Sequence, residues 1–122
     1  MEIRELKEKL VTEEKHDFES LCQLVEVLRS EEGCMWDREQ DHRSIRSDII
    51  EETYEVVEAI DSDDMTLLRE ELGDVLFQVM FHSQIEKEKG TFEIGDVIGD
   101  VIDKMILRHP HVFGEVKVGS SG

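Results

Sequence analysis

The chain has 122 residues and carries 31 Asp and Glu against 14 Lys and Arg, a formal net charge of −17. This length fits one domain, and a hydrophobic fraction of 39% is enough for a packed core. The basic residues are scattered with no two adjacent, so the charge disfavours nucleic acid and anionic membrane surfaces as partners.

The sequence offers no sign of a membrane span or a secretory signal. No stretch approaches the roughly 18 uninterrupted apolar residues of a membrane helix, and the acidic N-terminus lacks the basic and then apolar layout of a signal peptide. We therefore expect no membrane partner and a cytoplasmic protein. Cys22 and Cys34 fit that compartment as reduced thiols without a metal-binding or redox spacing.

Helical periodicity and a single proline predict an all-α fold. Residues 1–15 are charged and weakly periodic, which predicts an N-terminal arm or a short extra helix. Residues 16–114 are expected to form the domain. Residues 115–122 are expected to be a flexible C-terminal tail, whose Gly-Ser-Ser-Gly end is either an added sequence or a frayed native one.

The first strongly periodic segment predicts a helix over 17–30, with Asp17 as its N-cap. A loop over 33–41 follows and carries the single tryptophan, Trp36. A second helix is predicted over 44–60. Its apolar residues share one arc of the helix and its acidic residues share a neighbouring arc.

An acidic turn at 61–64 is short enough to make the helices on either side antiparallel neighbours. The third helix, predicted over 65–89, is the most apolar one. It has almost no polar face over 72–81, so we expect it to be central and buried. Gly90 ends it, and a fourth helix is predicted over 93–108.

Two pairs of acidic residues conflict with their apolar surroundings. Glu71 and Asp74 lie three residues apart where the third helix has the least access to water, so they need partners. Glu52 and Glu55 have the same spacing at the acidic edge of the second helix. Because the two helices are antiparallel neighbours, we expect the four carboxylates to converge.

The sequence predicts a divalent cation among these carboxylates, because few basic residues lie near enough to neutralise them. Oxygen ligands without His or Cys favour Mg²⁺, with Mn²⁺ as a substitute, and such a site binds phosphate. Two other interpretations stay open. The glutamates of the second helix can be a solvated face, and Glu71 and Asp74 can be held by core hydrogen bonds or by Arg69.

Three further residues have two interpretations each. Lys104 and Arg108 lie near the C-terminus of the fourth helix, where the helix dipole favours cations, but they could also hold the oxygens of a polyphosphate. Trp36 either plugs the end of the helix bundle or stacks on a nucleobase.

The acidic pairs stand in motifs that resemble a known family. EETYE at 51–55 and ELGD at 71–74 resemble the EExxE and ExxD pair of the MazG nucleoside triphosphate pyrophosphohydrolases. WDREQ at 36–40 resembles the loop before the first motif, and RHPHVF at 108–113 resembles the closing segment. The resemblance extends from near Phe18 to the end of that segment.

The resemblance implies a four-helix MazG-like bundle completed by dimerisation, and hence a homodimer or homotetramer. It implies Mg²⁺-dependent hydrolysis of nucleoside triphosphates, ribo or deoxy, to the monophosphate and pyrophosphate. It assigns the metal to four residues and the triphosphate to the two basic ones. The implied metal ligands are Glu52, Glu55, Glu71 and Asp74, and the implied phosphate-binding residues are Lys104 and Arg108.

On this basis we expect Glu51 or Glu52 to orient a metal-activated water for attack at the α-phosphorus, without a covalent intermediate. The competing hypothesis is a non-catalytic helical dimerisation or regulatory module that binds Mg²⁺ or Mg-nucleotide. Turnover distinguishes the two.

Overall fold

Helices are the only regular elements of residues 1–115, the part of the chain that the computed structural model describes. None of these helices is both long and apolar enough to span a bilayer. The predicted C-terminal tail lies almost entirely outside the described residues. The seven helices are α1 (Ile3–Thr12), α2 (Phe18–Arg29), α3 (Met35–Glu39), α4 (Arg46–Asp61), α5 (Met65–Lys89), α6 (Ile94–Arg108) and α7 (Pro110–Phe113).

The all-α prediction is confirmed, and α2, α4, α5 and α6 are the four predicted helices. The capping residues explain how closely their ends agree. At the start of α2, the Ser20 amide donates to Asp17 Oδ1 at 2.9 Å and the Asp17 amide donates to Ser20 Oγ at 3.2 Å. This capping box satisfies two backbone groups that the first turn of a helix leaves without partners.

The predicted loop over 33–41 is wrong in its middle, where α3 forms. Arg29 supplies the reason, because its guanidinium donates to the carbonyls of Asp37 and Gln40 at 2.6 and 2.9 Å. These carbonyls lie at the end of α3, where a helix lacks internal donors. A side chain from another helix therefore supports this single turn. At the N-terminus, Ile3–Thr12 form the helix α1.

The described chain divides into two compact units, one of residues 1–85 and one that begins at Glu86. The first contains α1 to α4 and most of α5, and the second contains the end of α5 with α6 and α7. Packing in the first unit includes a small cluster, Ile45, Phe81 and Ile85, against which Phe77 packs. The domain predicted over 16–114 stays a prediction.

The expectation that α5 is buried along 72–81 is wrong. Leu72 is 51% exposed and Leu76 is 44% exposed, whereas Met80 and Phe81 are buried. A helix that is apolar on every side needs neighbours on every side, and the described chain supplies them only along the later turns of α5. The apolar arc of α4 is exposed in the same way, at Ile50, Tyr54, Val57 and Ile60.

The turn after α2 generates a stability prediction. A Cβ atom at Gly33 would lie 1.9 Å from the backbone oxygen of Val27 and 2.7 Å from that of Leu28. Because neither oxygen is on a flexible side chain, we expect Gly33→Ala to lower the free energy of unfolding by about 1–3 kcal/mol. Urea denaturation at one fixed protein concentration measures the change.

Gly99, inside α6, is the matched control, because a Cβ atom there meets nothing within 4 Å. Gly99→Ala should raise the free energy of unfolding by about 0.5–1 kcal/mol, since alanine is the better helix former. A loss of stability of equal size in both variants would contradict the contact at Gly33.

Candidate metal and phosphate site

The turn between α4 and α5 makes these two helices neighbours. Its residue Asp63 has a left-handed backbone, with φ of 54°, and the Asp64 amide donates back to the carbonyl of Ala59 at 3.1 Å. Asp64 Oδ1 then accepts from the amide of Leu67 at 3.0 Å, which caps the first turn of α5. The chain therefore reverses within three residues, as the acidic turn predicts.

A second contact joins the residues before α4 to the later part of α5. The His42 and His82 rings stack with centroids 5.0 Å apart, and their Nδ1 atoms lie within hydrogen-bond distance at 2.7 Å. Burial, and then the charge of His42, lower the pKa of His82. The lowered pKa favours the uncharged imidazole of His82, which can hydrogen-bond to His42 without placing two positive charges side by side.

Between these two contacts, three carboxylates of the predicted site come together. One oxygen each of Glu52, Glu55 and Glu71 lies within 4.8 Å of the other two. Glu71 is only 7% exposed, Glu52 is half-buried and Glu55 is exposed. The structure thus places Glu71 of α5 against the acidic pair of α4, which is three of the four carboxylates that were expected to converge.

Crowding of these negative charges raises the pKa values of two of the acids. Contact with the Glu55 carboxylate, followed by burial and the nearby charges of Glu55, Asp74 and Glu52, raises the pKa of Glu71 to about 7. Burial, followed by the charges of Asp74 and Glu55, raises the pKa of Glu52. Both acids therefore resist ionisation until a cation is supplied.

The cluster also contains buried oxygen atoms without partners. Glu52 Oε2 and Glu71 Oε2 are inaccessible to solvent and accept no hydrogen bond. Within residues 1–115, no ion pair joins Arg69 to Glu71 or Asp74, so the interpretation in which Arg69 neutralises them is not supported. Buried acceptors without donors are what a small hard cation would satisfy.

Two more predicted site residues lie beside the cluster without joining it. Asp74 is exposed and is not among the three acids with mutually close oxygens, although its charge contributes to the raised pKa of Glu71. Glu51 is exposed on α4, next to Glu52. A role for either of them as a ligand or base stays a prediction.

The remaining predicted residues are on α3 and α6. Lys104 and Arg108 are exposed on the later turns of α6, in the second unit. Trp36 is 76% exposed on α3, which disagrees with the interpretation in which it plugs the end of a bundle. Its interpretation as a base-stacking residue stays a prediction.

The structure also shows a pocket that the sequence analysis missed. Asp48 lies one turn before Glu52 on α4, Gln78 lies one turn after Asp74 on α5, and both line a cavity of about 260 Å³. The sequence signal for these two pocket residues is their spacing of four residues from Glu52 and Asp74. It was easy to miss because a lone aspartate or glutamine on a helix is usually solvated.

Comparison with known protein families finds one family model that matches residues 40–113. The family model of the MazG nucleotide pyrophosphohydrolase domain matches residues 40–113, which include all four predicted metal ligands and both basic residues of α6. No solved structure matches the chain significantly.

Several curated proteins are similar to the chain. The Thermotoga maritima protein named nucleoside triphosphate pyrophosphohydrolase/pyrophosphatase MazG is 55% identical over 80% of this chain and 38% of its own length. The Escherichia coli K12 nucleoside triphosphate pyrophosphohydrolase is 42% identical over 87% of this chain and 41% of its own. An uncharacterised Bacillus subtilis protein, YabN, is 48% identical over 88% of this chain and 23% of its own length. The chain therefore spans less than half the length of these relatives.

The raised pKa of Glu71 gives a prediction for the metal-free protein. Between the ordinary carboxyl value of 4.5 and about 7, the folded chain keeps a proton on Glu71 that the unfolded chain releases. The contribution of this group to stability is therefore complete below the lower value and is lost as pH rises through the upper one. In EDTA, we expect Glu71→Gln to be more stable than the parent at about pH 8, with the difference shrinking toward about pH 5.

Thermal unfolding followed by circular dichroism at several pH values measures this difference. Glu70→Gln is the matched control, because Glu70 is the exposed neighbour of Glu71 on the same helix. That variant should keep the pH dependence of the parent. If Glu71→Gln were less stable than the parent at the higher pH, repulsion between carboxylates would not be the main effect of Glu71 on stability.

Proposed function

The chain belongs to the MazG nucleotide pyrophosphohydrolase domain family, and from that premise we propose that it hydrolyses nucleoside triphosphates to the monophosphate and pyrophosphate. The observation that supports this most is the meeting of Glu52, Glu55 and Glu71. Three acids without a basic partner among residues 1–115, two of them with buried oxygens that accept no hydrogen bond, form a centre for a cation and hence for a polyphosphate.

The residues present fit Mg²⁺. All the available donors are carboxylate oxygens, and the three acids that meet include one that is exposed, so water or phosphate can complete the coordination. Glu52, Glu55 and Glu71 would hold the ion, with Asp74 as the fourth ligand. Bound there, Mg²⁺ would lower the pKa of a water molecule and offset charge on phosphate oxygens. Mn²⁺ has the same preference for oxygen donors and would substitute.

The other site residues then take the following roles. Glu51 or Glu52 accepts a hydrogen bond from the attacking water and orients it toward the α-phosphorus. Lys104 and Arg108 donate to oxygens of the triphosphate and stabilise the charge that gathers on the departing pyrophosphate. In a chain with a net charge of −17, such donors and the cation are needed to bring an anionic substrate to the site. Trp36 is proposed to contact the base, because its ring is exposed.

Product analysis tests the proposal. With Mg²⁺ and each common nucleoside triphosphate, we expect the monophosphate and pyrophosphate and no diphosphate, because attack is at the α-phosphorus. Glu71→Gln and Asp74→Asn should each lower kcat by at least about 100-fold, since each removes charge that holds the cation. Anion-exchange chromatography of quenched reactions, with and without EDTA, gives products and rates.

Glu70→Gln serves as the control here as well, and it should keep the parent's activity. Full activity in both Glu71→Gln and Asp74→Asn would contradict the site assignment. Intact nucleotide together with a rise in melting temperature on adding Mg²⁺ would instead favour the non-catalytic binding module.

We also propose that the chain forms a homodimer, or a homotetramer built from it. Apolar side chains stay exposed along α4 and α5 of the same unit, on the two helices that carry the carboxylates. Exposed apolar residues at helical spacing are typical of a surface that another helix covers. The exposed residues at this spacing are Ile50, Tyr54 and Val57 on α4 and Met65, Leu72 and Leu76 on α5.

Sedimentation velocity tests the assembly. The double substitution Val57→Glu with Leu76→Glu should convert the dimer into monomers, because it places two charges in the apolar contact. The control is Val11→Glu on α1, which is also exposed and lies outside the two helices, and which should leave the dimer intact. A parent chain that sediments as a monomer at micromolar concentration would contradict the proposed dimer.

A further inference from the structure

The pocket that lies one helical turn from the carboxylates is suited to bind part of a ligand. Its volume of about 260 Å³ is just under the roughly 300–1,000 Å³ of sites for drug-sized ligands, so it suits one heterocycle rather than a whole nucleotide. It lies within the first unit. Its lining residues are Asp37, Gln40, Ser44, Ile45, Asp48, Phe77, Gln78 and Phe81.

The polar groups of this pocket divide into those that are already bonded and those that are open. Ser44 Oγ donates to Gln40 Oε1 at 2.8 Å, and Gln40 Nε2 donates to the carbonyl of Trp36 at 2.9 Å. Gln78 Oε1, by contrast, is buried without a hydrogen-bond partner, and the side chains of Asp37 and Asp48 have none within residues 1–115. The open oxygen atoms, Gln78 Oε1 and those of the two carboxylates, are acceptors, and a ligand that donates would satisfy them.

The apolar walls suit a flat ring. Phe77 and Phe81 lie with ring centroids 5.8 Å apart, and Phe77 packs against the core cluster that contains Phe81 and Ile45. The Arg29 guanidinium lies 5.3 Å from the centre of the Phe81 ring and holds that wall in place. Phe77, the less buried of the two, is the ring that a nucleobase can contact.

The position of the pocket relates it to the phosphate site. Asp48 and Glu52 are one turn apart on α4, and Asp74 and Gln78 are one turn apart on α5, so the cavity follows the carboxylate cluster along both helices. One turn is about 5.4 Å. A nucleotide whose phosphates lie at the carboxylates can thus place its base in this cavity.

Resting on the proposed function, we infer that this pocket selects nucleotides whose base carries an exocyclic amino group, cytosine, adenine or guanine, over those with uracil or thymine. The amino group donates to Gln78 Oε1 and to the Asp48 carboxylate. Uracil and thymine present a carbonyl oxygen at the position where cytosine has its amino group, and that oxygen would face acceptors without a donor between them.

Rates with CTP and UTP give the most direct test, because these substrates share ribose and triphosphate. Their bases differ only at position 4, which is amino in cytosine and carbonyl in uracil, and at N3, which carries a hydrogen in uracil alone. We expect kcat/KM for CTP to exceed that for UTP by roughly 10- to 100-fold, as for a buried polar group left unpaired. Gln78→Leu should reduce the ratio to within about threefold by lowering the value for CTP. Gln84→Leu, the same substitution on α5 outside the pocket, should leave the ratio unchanged.

Two further variants keep the test valid if Gln78→Leu does not fold. Gln78→Glu retains an acceptor of the same shape and should retain the preference for CTP. Asp48→Asn adds a donor and should raise kcat/KM for UTP relative to CTP. Equal values for CTP and UTP in the parent would overturn the pocket assignment and leave the proposed hydrolysis standing.

The converse outcome separates the two proposals. If no triphosphate is hydrolysed, calorimetric titration of the metal-free parent with cytidine and with uridine tests the pocket alone. Tighter binding of cytidine that Gln78→Leu abolishes would support the pocket. Equal or undetectable binding of both nucleosides would overturn it.

Discussion

Repulsion between carboxylates that share one space is the constraint on which the proposed site depends. Glu52, Glu55 and Glu71 meet with no basic side chain paired to them in residues 1–115, and the burial of Glu71 removes much of the water that would screen its charge. The chain tolerates the arrangement by keeping a proton, as the pKa of about 7 for Glu71 indicates. In the proposed site a cation would relieve the same repulsion and attract phosphate, so the repulsion and the proposed function would have one physical source.

The helices α4 and α5 carry all three of these carboxylates. A three-residue turn fixes their antiparallel arrangement at one end, and the His42–His82 contact holds the residues before α4 against α5 toward the other. Between them lie a region crowded with acids and a cavity that includes the unpartnered acceptor Gln78 Oε1. The same two helices also leave apolar residues exposed, which links the proposed site to the proposed assembly.

Much of this could be predicted from the sequence, because it depends on neighbours along the chain. Helical periodicity and the capping residue Asp17 determine where the long helices lie. The i, i+3 spacing determines that Glu52 and Glu55 share one face, as Glu71 and Asp74 do. The acidic turn determines that those faces belong to adjacent antiparallel helices. These features follow from the geometry of a helix and a short turn, and a small number of residues decides each of them.

Tertiary structure decided what depends on residues far apart in the chain. The helix α3 forms because Arg29 satisfies its last carbonyls, and no local pattern reports that contact. The exposure of Leu72 and Leu76 depends on which neighbours the rest of the chain supplies. Asp74 has the right spacing yet lies outside the three acids that meet, and Gln78 is left unpartnered only because the surrounding residues bury its oxygen. The helices and the faces that carry the acids follow from local sequence, whereas burial and pairing follow from long-range packing, because both depend on what each face meets in space.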